Sequence, residues 1–236
     1  MLEEEKNTLK KFLDPTYHLL ERFREVAPGS YKHCQNVANL CESIALELGL
    51  DVDLLKIAAM YHDIGKIVAA NYFSENQDDK NPHDGLDPII SYQIISRHVG
   101  DSVLILLGAE DMPREVLTIV SQHHGNTVLK PFYKKAKSAV EDHFRYKCSS
   151  PNSTEAAILM IVDSVEATAR SLFNNNKPMS EKERKDVILT TIDRFIDDNQ
   201  LDNLKIGILK IVKRNLAKEL KSIYHKRVLY EDEEKE

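Results

Sequence analysis

Cysteine is scarce in this 236-residue chain: three residues, Cys34, Cys41 and Cys148, odd in number and with no C-x-x-C pair among them. That argues against a disulfide or zinc framework and fits reduced thiols in a cytoplasmic compartment. Cys34 and Cys41 stand seven apart on one helical face, where core packing is their expected role. Long apolar runs are missing as well. No window approaches the 18 consecutive apolar residues of a membrane-spanning helix. The charged stretch Met1–Lys11 lacks the apolar segment of a signal peptide. Nor is there an excess of positive charge: the formal net charge of -6 offers no large basic surface, which argues against sequence-independent binding of long nucleic acid. A small anionic ligand remains compatible with an acidic chain where bound metals make the site positive. Internal repeats and sustained strand alternation do not occur.

What is present is helical periodicity in an ordinary globular composition, 42% hydrophobic and 30% charged. The expected division is a charged N-terminal extension (1–12), a main domain (13–230) whose helices from about 180 pack as a subdomain, and an acidic tail (231–236). Val37, Leu40, Cys41, Ile44 and Leu48 form an apolar stripe that Gly49 stops. Asp51 or Asp53 can cap the next helix, which carries Leu55, Ala58 and Ala59 inward and is expected to end near Gly65. From Asn71 to Pro88 the pattern gives way to a long loop of the kind that is often functional. A helix with Ile90, Ile94 and Ile95 and a short one around Val103–Leu107 follow, and Pro113 opens another. Beyond a basic, aromatic stretch (Lys130–Lys137), Ser153 or Thr154 caps a long helix to about Phe173. Asn174–Lys177 and Pro178 break the chain before helices near Glu181–Asp197 and Leu204–Lys226. The fold class is all-α.

The ionisable residues point the wrong way for a simple core. His33 precedes Val37 by four, and His62 follows Ala58 by four. His98 follows Ile94 by four, His123 follows Val116 by seven, and Asp163 follows Leu159 by four. Five helices therefore each aim an imidazole or carboxylate inward. One such histidine is better read as a satisfied core residue, but five placements, with the Asp63 carboxylate next to one of them, need a common cause. An unpaired buried carboxylate costs several kcal/mol, and a shared cation removes that cost. His62 and Asp63 are adjacent and diverge by about 100° on a helix, so both reach one site only near a helix end. Mixed imidazole and carboxylate donors suit iron, manganese, zinc or cobalt. Two such ions about 3.5–4 Å apart polarise a phosphoryl oxygen and generate a bridging hydroxide.

His33, His62-Asp63 and Asp163 match the H…HD…D signature of the HD superfamily, within Tyr61-His62-Asp63-Ile64-Gly65-Lys66. Ala27-Pro28-Gly29-Ser30-Tyr31, Glu75-Asn76-Gln77, Asn81-Pro82-His83-Asp84, Gln122-His123-His124-Gly125, Phe144-Arg145-Tyr146 and Asp163-Ser164-Val165-Glu166-Ala167 extend the match. Together they resemble the catalytic domain of PgpH-type cyclic di-AMP phosphodiesterases from about Leu13 to Tyr230. The resemblance implies an HD-domain helical bundle with two divalent metal ions per chain, iron or manganese first, with zinc, cobalt or nickel as substitutes. His33, His62, Asp63 and Asp163 would hold one ion; Asp63 would bridge to a second held by His98 and His123. His124 would be a further ligand or a phosphate contact, and Lys66 would place its ammonium on the phosphate. Asn81 and His83 belong to a loop that could close over the nucleotide, against an ordinary turn. Phe132 and Tyr133 could stack a base, and Glu166 with Arg170 reads as a helix-face ion pair.

The implied activity is hydrolysis of cyclic di-AMP to linear pApA by a metal-bridging hydroxide. The Gly-Tyr-Pro motif of the related cyclic di-GMP enzymes is absent, and so is any G-x-S-x-G nucleophile. Members of this family usually carry the domain on the cytosolic side of a membrane protein, so this chain reads as an excised part or a free-standing relative. Two alternatives stand beside this reading. One is a one-metal HD phosphohydrolase acting on mononucleotides or another cyclic nucleotide, for which His98, His123 and His124 would be superfluous. The other is a non-catalytic nucleotide sensor, in which loss of a ligand or of Lys66 is expected.

Overall fold

Periodic apolar stretches become helices, and the breakers between them become helix ends. The computed structural model describes residues 9–77, 80–137, 140–173 and 179–233, with side chains described as far as Ile223. After a short turn of 3-10 helix at Lys11–Leu13, α1 (His18–Val26) leads through Ala27 into α2 (Pro28–Leu48). Gly49 terminates α2 in the left-handed region, φ 67°, where a side chain would be strained. Asp51 then caps α3 (Val52–Tyr61) by accepting the Leu54 N–H at 3.0 Å. Next come α4 (Pro88–Leu107), α5 (Arg114–Gln122), the short α6 (Lys130–Lys135), α7 (Thr154–Phe173), α8 (Glu181–Asp197) and α9 (Ile206–Glu233). Pairing between strands is limited, among the described residues, to one isolated bridge between Val128 and Arg145.

The core lies where α2, α3 and α7 meet. Val37, Leu40, Cys41 and Ile44 of α2 are buried against Leu55, Ala58 and Ala59 of α3 and Ile158, Leu159 and Val162 of α7. Helix α7 is apolar around most of its circumference, as a helix enclosed on all sides must be. Burying Leu- or Ile-sized side chains is worth about 1.5–3 kcal/mol each, so this contact supplies the framework on which the polar residues are held. A capping box starts α8: Ser180 Oγ accepts the Glu183 N–H at 3.2 Å, and Glu183 accepts the Ser180 N–H at 2.7 Å. Helix α9 packs on α2, with Asn215 donating to Ser43 at 3.0 Å and Arg214 paired with Glu47.

Four boundaries differ from expectation. The residues around Val103–Leu107 are not a separate helix but the last turns of α4, which runs through Gly100 without a break. A Cβ at Gly100 would meet nothing within 4 Å, so a solvent-facing glycine interrupts no packing and costs only about 1 kcal/mol. Helix α3 ends at Tyr61, earlier than Gly65, and the chain tightens into a 3-10 turn over Ile64–Val68. The 71–88 loop carries two further 3-10 turns, Ala70–Tyr72 and Ser74–Asn76. Helix α9 starts at Ile206 and takes in the beginning of the acidic tail, reaching Glu233. The break expected at Asn174–Pro178 and most of the N-terminal extension lie outside the described residues.

Gly65 is where the fold is tightest. A Cβ there would lie 2.2 Å from the His98 carbonyl oxygen and 2.4 Å from the Ser102 nitrogen, both backbone. The contact is locked by Ser102 Oγ, which accepts the Gly65 N–H at 2.8 Å and donates to the His62 carbonyl at 2.9 Å. This crossing brings Asp63 against His98. The two glycines therefore respond oppositely to alanine. Gly100→Ala should stabilise by about 0.5–1 kcal/mol. Gly65→Ala should cost about 2–3 kcal/mol through overpacking, lowering the melting temperature by about 2–4 °C per kcal/mol. Calorimetry of the two variants checks this; equal or reversed shifts would contradict the close approach.

Candidate metal centre

Histidines arrive at the centre by two routes. His33 and His98 come from within α2 and α4. His62 and His123 are the residues that close α3 and α5, and Asp63 and His124 follow them as the backbone turns away. Ending the helix resolves the 100° divergence of neighbouring side chains, so His62 and Asp63 both reach one place. Asp163 is supplied by α7.

Each ring is oriented by its Nδ1. His62 Nδ1 lies 2.8 Å from the Ala59 carbonyl, His98 Nδ1 2.6 Å from that of Ile95, and His123 Nδ1 2.6 Å from that of Val120. The acceptor is three residues back in every case; it fixes a proton on Nδ1 and turns Nε2 toward the centre. His33 is oriented by a carboxylate instead: Nδ1 meets Glu166 Oε2, and Glu166 Oε1 accepts from Asn36 at 2.7 Å. A histidine whose outer nitrogen is held by carboxylate or carbonyl is the usual arrangement behind a metal ligand.

All four Nε2 atoms converge on two carboxylates. His33 Nε2 is 2.9 Å and His62 Nε2 3.6 Å from Asp163 Oδ1. His62 Nε2 is also 3.4 Å from Asp63 Oδ2, while His98 and His123 Nε2 are 3.2 and 3.9 Å from Asp63 Oδ1. His124 joins less closely, Nδ1 3.8 Å from Asp163 Oδ2. Donor atoms of His33, His62 and Asp163 lie within 4.8 Å of one another, as do those of Asp63, His98, His123 and His124. The two oxygens of Asp63 face these two groups. Cys34, expected in the core, is buried there with its sulfur 3.6 Å from His62 Nδ1 and within reach of a third, overlapping group with His62 and Asp63.

Electrostatics tests whether this set suits a cation. Asp63, Glu75, Asp163 and Glu166 have side chains at most 8% exposed, and the lysine and arginine that touch them are Lys66 and Arg170. Beyond these two cations, the charge that balances the four carboxylates comes from His33 and His62, whose pKa values are raised, so without a metal the pocket relies on protonated imidazoles. Burial alone would raise the Asp63 carboxyl, but Lys66 and His62 hold it well below the usual carboxylate range. Burial would likewise raise Asp163, which His33 and His62 hold down. Burial disfavours the charged form of His33, yet Glu166 and Asp163 outweigh it and lift its pKa to about 10. His123 goes the other way, pushed down to about 3 by burial and by His62 and His98 beside it. His62 Nε2 is buried without a hydrogen bond between two carboxylates. Imidazole and carboxylate atoms at these distances need a proton or a cation between them, and mixed nitrogen and oxygen donors fit a divalent transition ion.

Lys66 lies beside this cluster, its ammonium 2.7 Å from both Asp63 Oδ2 and Glu75 Oε1 and 4.8 Å from the centre of the Phe73 ring. It lines a cavity of about 470 Å³ together with His33, Asp63, His98, His124 and Asp163. Asn81 and His83 do not line that cavity. Asn81 Oδ1 accepts the His83 N–H at 3.0 Å in a local turn, and His83 Nε2 meets the Tyr72 carbonyl at 3.0 Å. Phe132 packs on His83 and Tyr133 on Phe144, ring centroids 5.1 and 6.0 Å apart. Glu166 departs from the helix-face reading. Arg170 Nε is indeed 3.6 Å away, but Glu166 is fully buried and orients His33. Glu75 and Tyr146 are further cavity residues; Glu75 also accepts from Ser30 Oγ at 2.9 Å, and Tyr146 stacks on His124 at 4.4 Å.

The chain belongs to the HD domain family, whose profile matches residues 30–168 and so takes in His33, His62, Asp63, His98, His123, His124 and Asp163. Within it, the chain is 38% identical over 231 residues (95% of its length) to the cyclic-di-AMP phosphodiesterase PgpH of Listeria monocytogenes. It is 37% identical over 229 residues (94%) to that of Bacillus subtilis. It spans about a third, 32%, of the length of these curated relatives. The crystal structure of the L. monocytogenes PgpH HD domain matches at 38% identity with a TM-score of 0.83, over 89% of this chain and 100% of that one. The same domain in complex with cyclic-di-AMP matches with 0.81 at 38% identity, over 88% and 97%. No helix among the described residues is long and apolar enough to cross a membrane.

The orienting role of Glu166 yields a prediction. Glu166→Gln should weaken divalent-metal affinity about 10–100-fold, read by competition with a metallochromic indicator. Unchanged affinity would contradict the assignment.

Proposed function

We propose that this chain is a metal-dependent phosphodiesterase that opens cyclic di-AMP to the linear dinucleotide pApA. The observation that carries the reading is the position of Asp63 between two sets of imidazoles, its Oδ2 3.4 and 3.8 Å from His62 and His33 and its Oδ1 3.2 and 3.9 Å from His98 and His123. We read these as sites for two divalent ions per chain, iron or manganese before zinc, cobalt or nickel. Residues 13–230 are taken as one catalytic unit. Similarity to PgpH proteins, and to an HD domain crystallised with cyclic-di-AMP, supports the substrate.

Bound divalent ions supply Lewis acidity at the phosphoryl oxygen and an activated water. The protein's own part is electrostatic and geometric. Asp63 turns one oxygen to each donor group, so the two groups keep a fixed separation. Glu166 and the Ala59, Ile95 and Val120 carbonyls hold the rings in the tautomer that presents Nε2. Lys66, clamped between Asp63 and Glu75, keeps a positive charge where negative charge develops on phosphorus, the kind of preorganised stabilisation that costs no rearrangement during reaction. A mononucleotide enzyme with one ion would leave the second donor group without work, which favours the diester.

Incubating the metal-loaded protein with cyclic di-AMP and separating products by ion-exchange chromatography should give pApA. Asp63→Ala should lose both metal retention and turnover. Absence of linear product, or full activity in that variant, would refute the proposal.

A further inference from the structure

Beside the cavity over the ligand cluster lies a second one of about 660 Å³, between the Thr127–Pro131 segment, Arg145 and the last turns of α8. His124, Tyr146, Ser164 and Arg194 line both cavities and form the partition between them. Both volumes fall in the range of clefts that bury drug-sized ligands, so together they offer more room than a single phosphate or sugar requires.

Three lysine or arginine side chains line the cavity over the cluster. Lys66 is bound to Asp63 and Glu75, and Arg170 lies 3.6 and 3.9 Å from Glu166 and Glu75. Their charges are taken up by the carboxylates they touch. Arg194 is different. Its guanidinium makes no direct ion pair or side-chain hydrogen bond among the described residues; it packs over the Phe195 ring at 4.8 Å and feels Asp163 and Asp198 only beyond contact distance. The nearby acid Asp198 is occupied by Arg145 at 3.0 Å. A planar fork of donors on a cavity wall with no carboxylate in direct contact is suited to bidentate contact with phosphate oxygens. Arg194 also comes from α8, beyond the 168th residue at which the HD family profile ends. The ligand cluster and this guanidinium thus belong to different parts of the chain, and the cavity wall brings them together.

A cyclic dinucleotide carries two phosphodiesters, of which one is cut. We propose that Arg194 is a specificity-determining residue that binds the second, uncut phosphate at the partition while the first lies at the ligand cluster. The inference rests on the phosphodiesterase reading above and adds the means of selection: a substrate with a single phosphodiester leaves Arg194 without a partner.

The test compares the metal-loaded wild type with Arg194→Ala and Arg194→Lys on two substrates, cyclic di-AMP and bis(p-nitrophenyl) phosphate, which has one phosphodiester only. Losing a charge-assisted contact should raise KM for cyclic di-AMP in Arg194→Ala about 10- to 100-fold. KM for the single diester should move far less, and Arg194→Lys should recover part of the loss. Circular dichroism and melting of the variants report folding. An unmoved KM for cyclic di-AMP, or equal losses on both substrates, would overturn the role of Arg194 while leaving the phosphodiesterase reading in place. A wild type that cleaves the single diester but neither binds nor cleaves cyclic di-AMP would overturn both.

Discussion

Four imidazoles in this protein have their Nδ1 protons committed before any ligand arrives, three to carbonyls and one to Glu166. What they present to one another is therefore Nε2, aimed at the oxygens of Asp63 and Asp163. Lone pairs of nitrogen and oxygen repel at 3–4 Å in a buried pocket unless a proton or a cation lies between them. Without metal, protons can fill part of that need, as the raised His33 and the depressed carboxylates indicate. His123, whose pKa burial pushes down to about 3 with His62 and His98 beside it, is in the form a cation takes up directly. The apolar framework of α2, α3 and α7 keeps the opposed groups from moving apart.

Much of this architecture can be read in the sequence because burial leaves a period. His33, His98 and Asp163 fall on helical apolar stripes, and the adjacency of His62 and Asp63 already requires a helix end, which is where they stand. Other features depend on contacts that no local pattern encodes. Glu166 and Arg170, four apart, look like a solvent-facing pair, and their ion pair exists. Only the approach of α2 reveals that Glu166 is enclosed and turned to His33. Gly65 reads as a helix stop but is a crossing point with α4. The separate short helix expected around Val103–Leu107 is instead continuous with α4, because Gly100 between them faces solvent and interrupts no packing. Asn81 and His83, in a segment rich in turn residues, build a turn held by Tyr72 away from the cavity.

The chain also separates two tasks along its length. The clustered histidines and carboxylates fall within the span matched by the HD family, whereas the helices after it close the side of the cavity through Arg194. Contacts of α9 with Ser43 and Glu47 on α2 tie those later helices to the core, so the wall they form has a defined position relative to the cluster. On the proposed reading, phosphodiester chemistry and the choice among substrates would be tuned by different segments.

The most direct check is crystallographic: anomalous-difference maps from manganese-loaded protein collected above and below the metal edge. Two peaks should appear, one among His33, His62, Asp63 and Asp163, the other among Asp63, His98 and His123, with Asp63 between them. No peak at either position, or a single peak that leaves His98 and His123 unligated, would contradict a centre built for two ions.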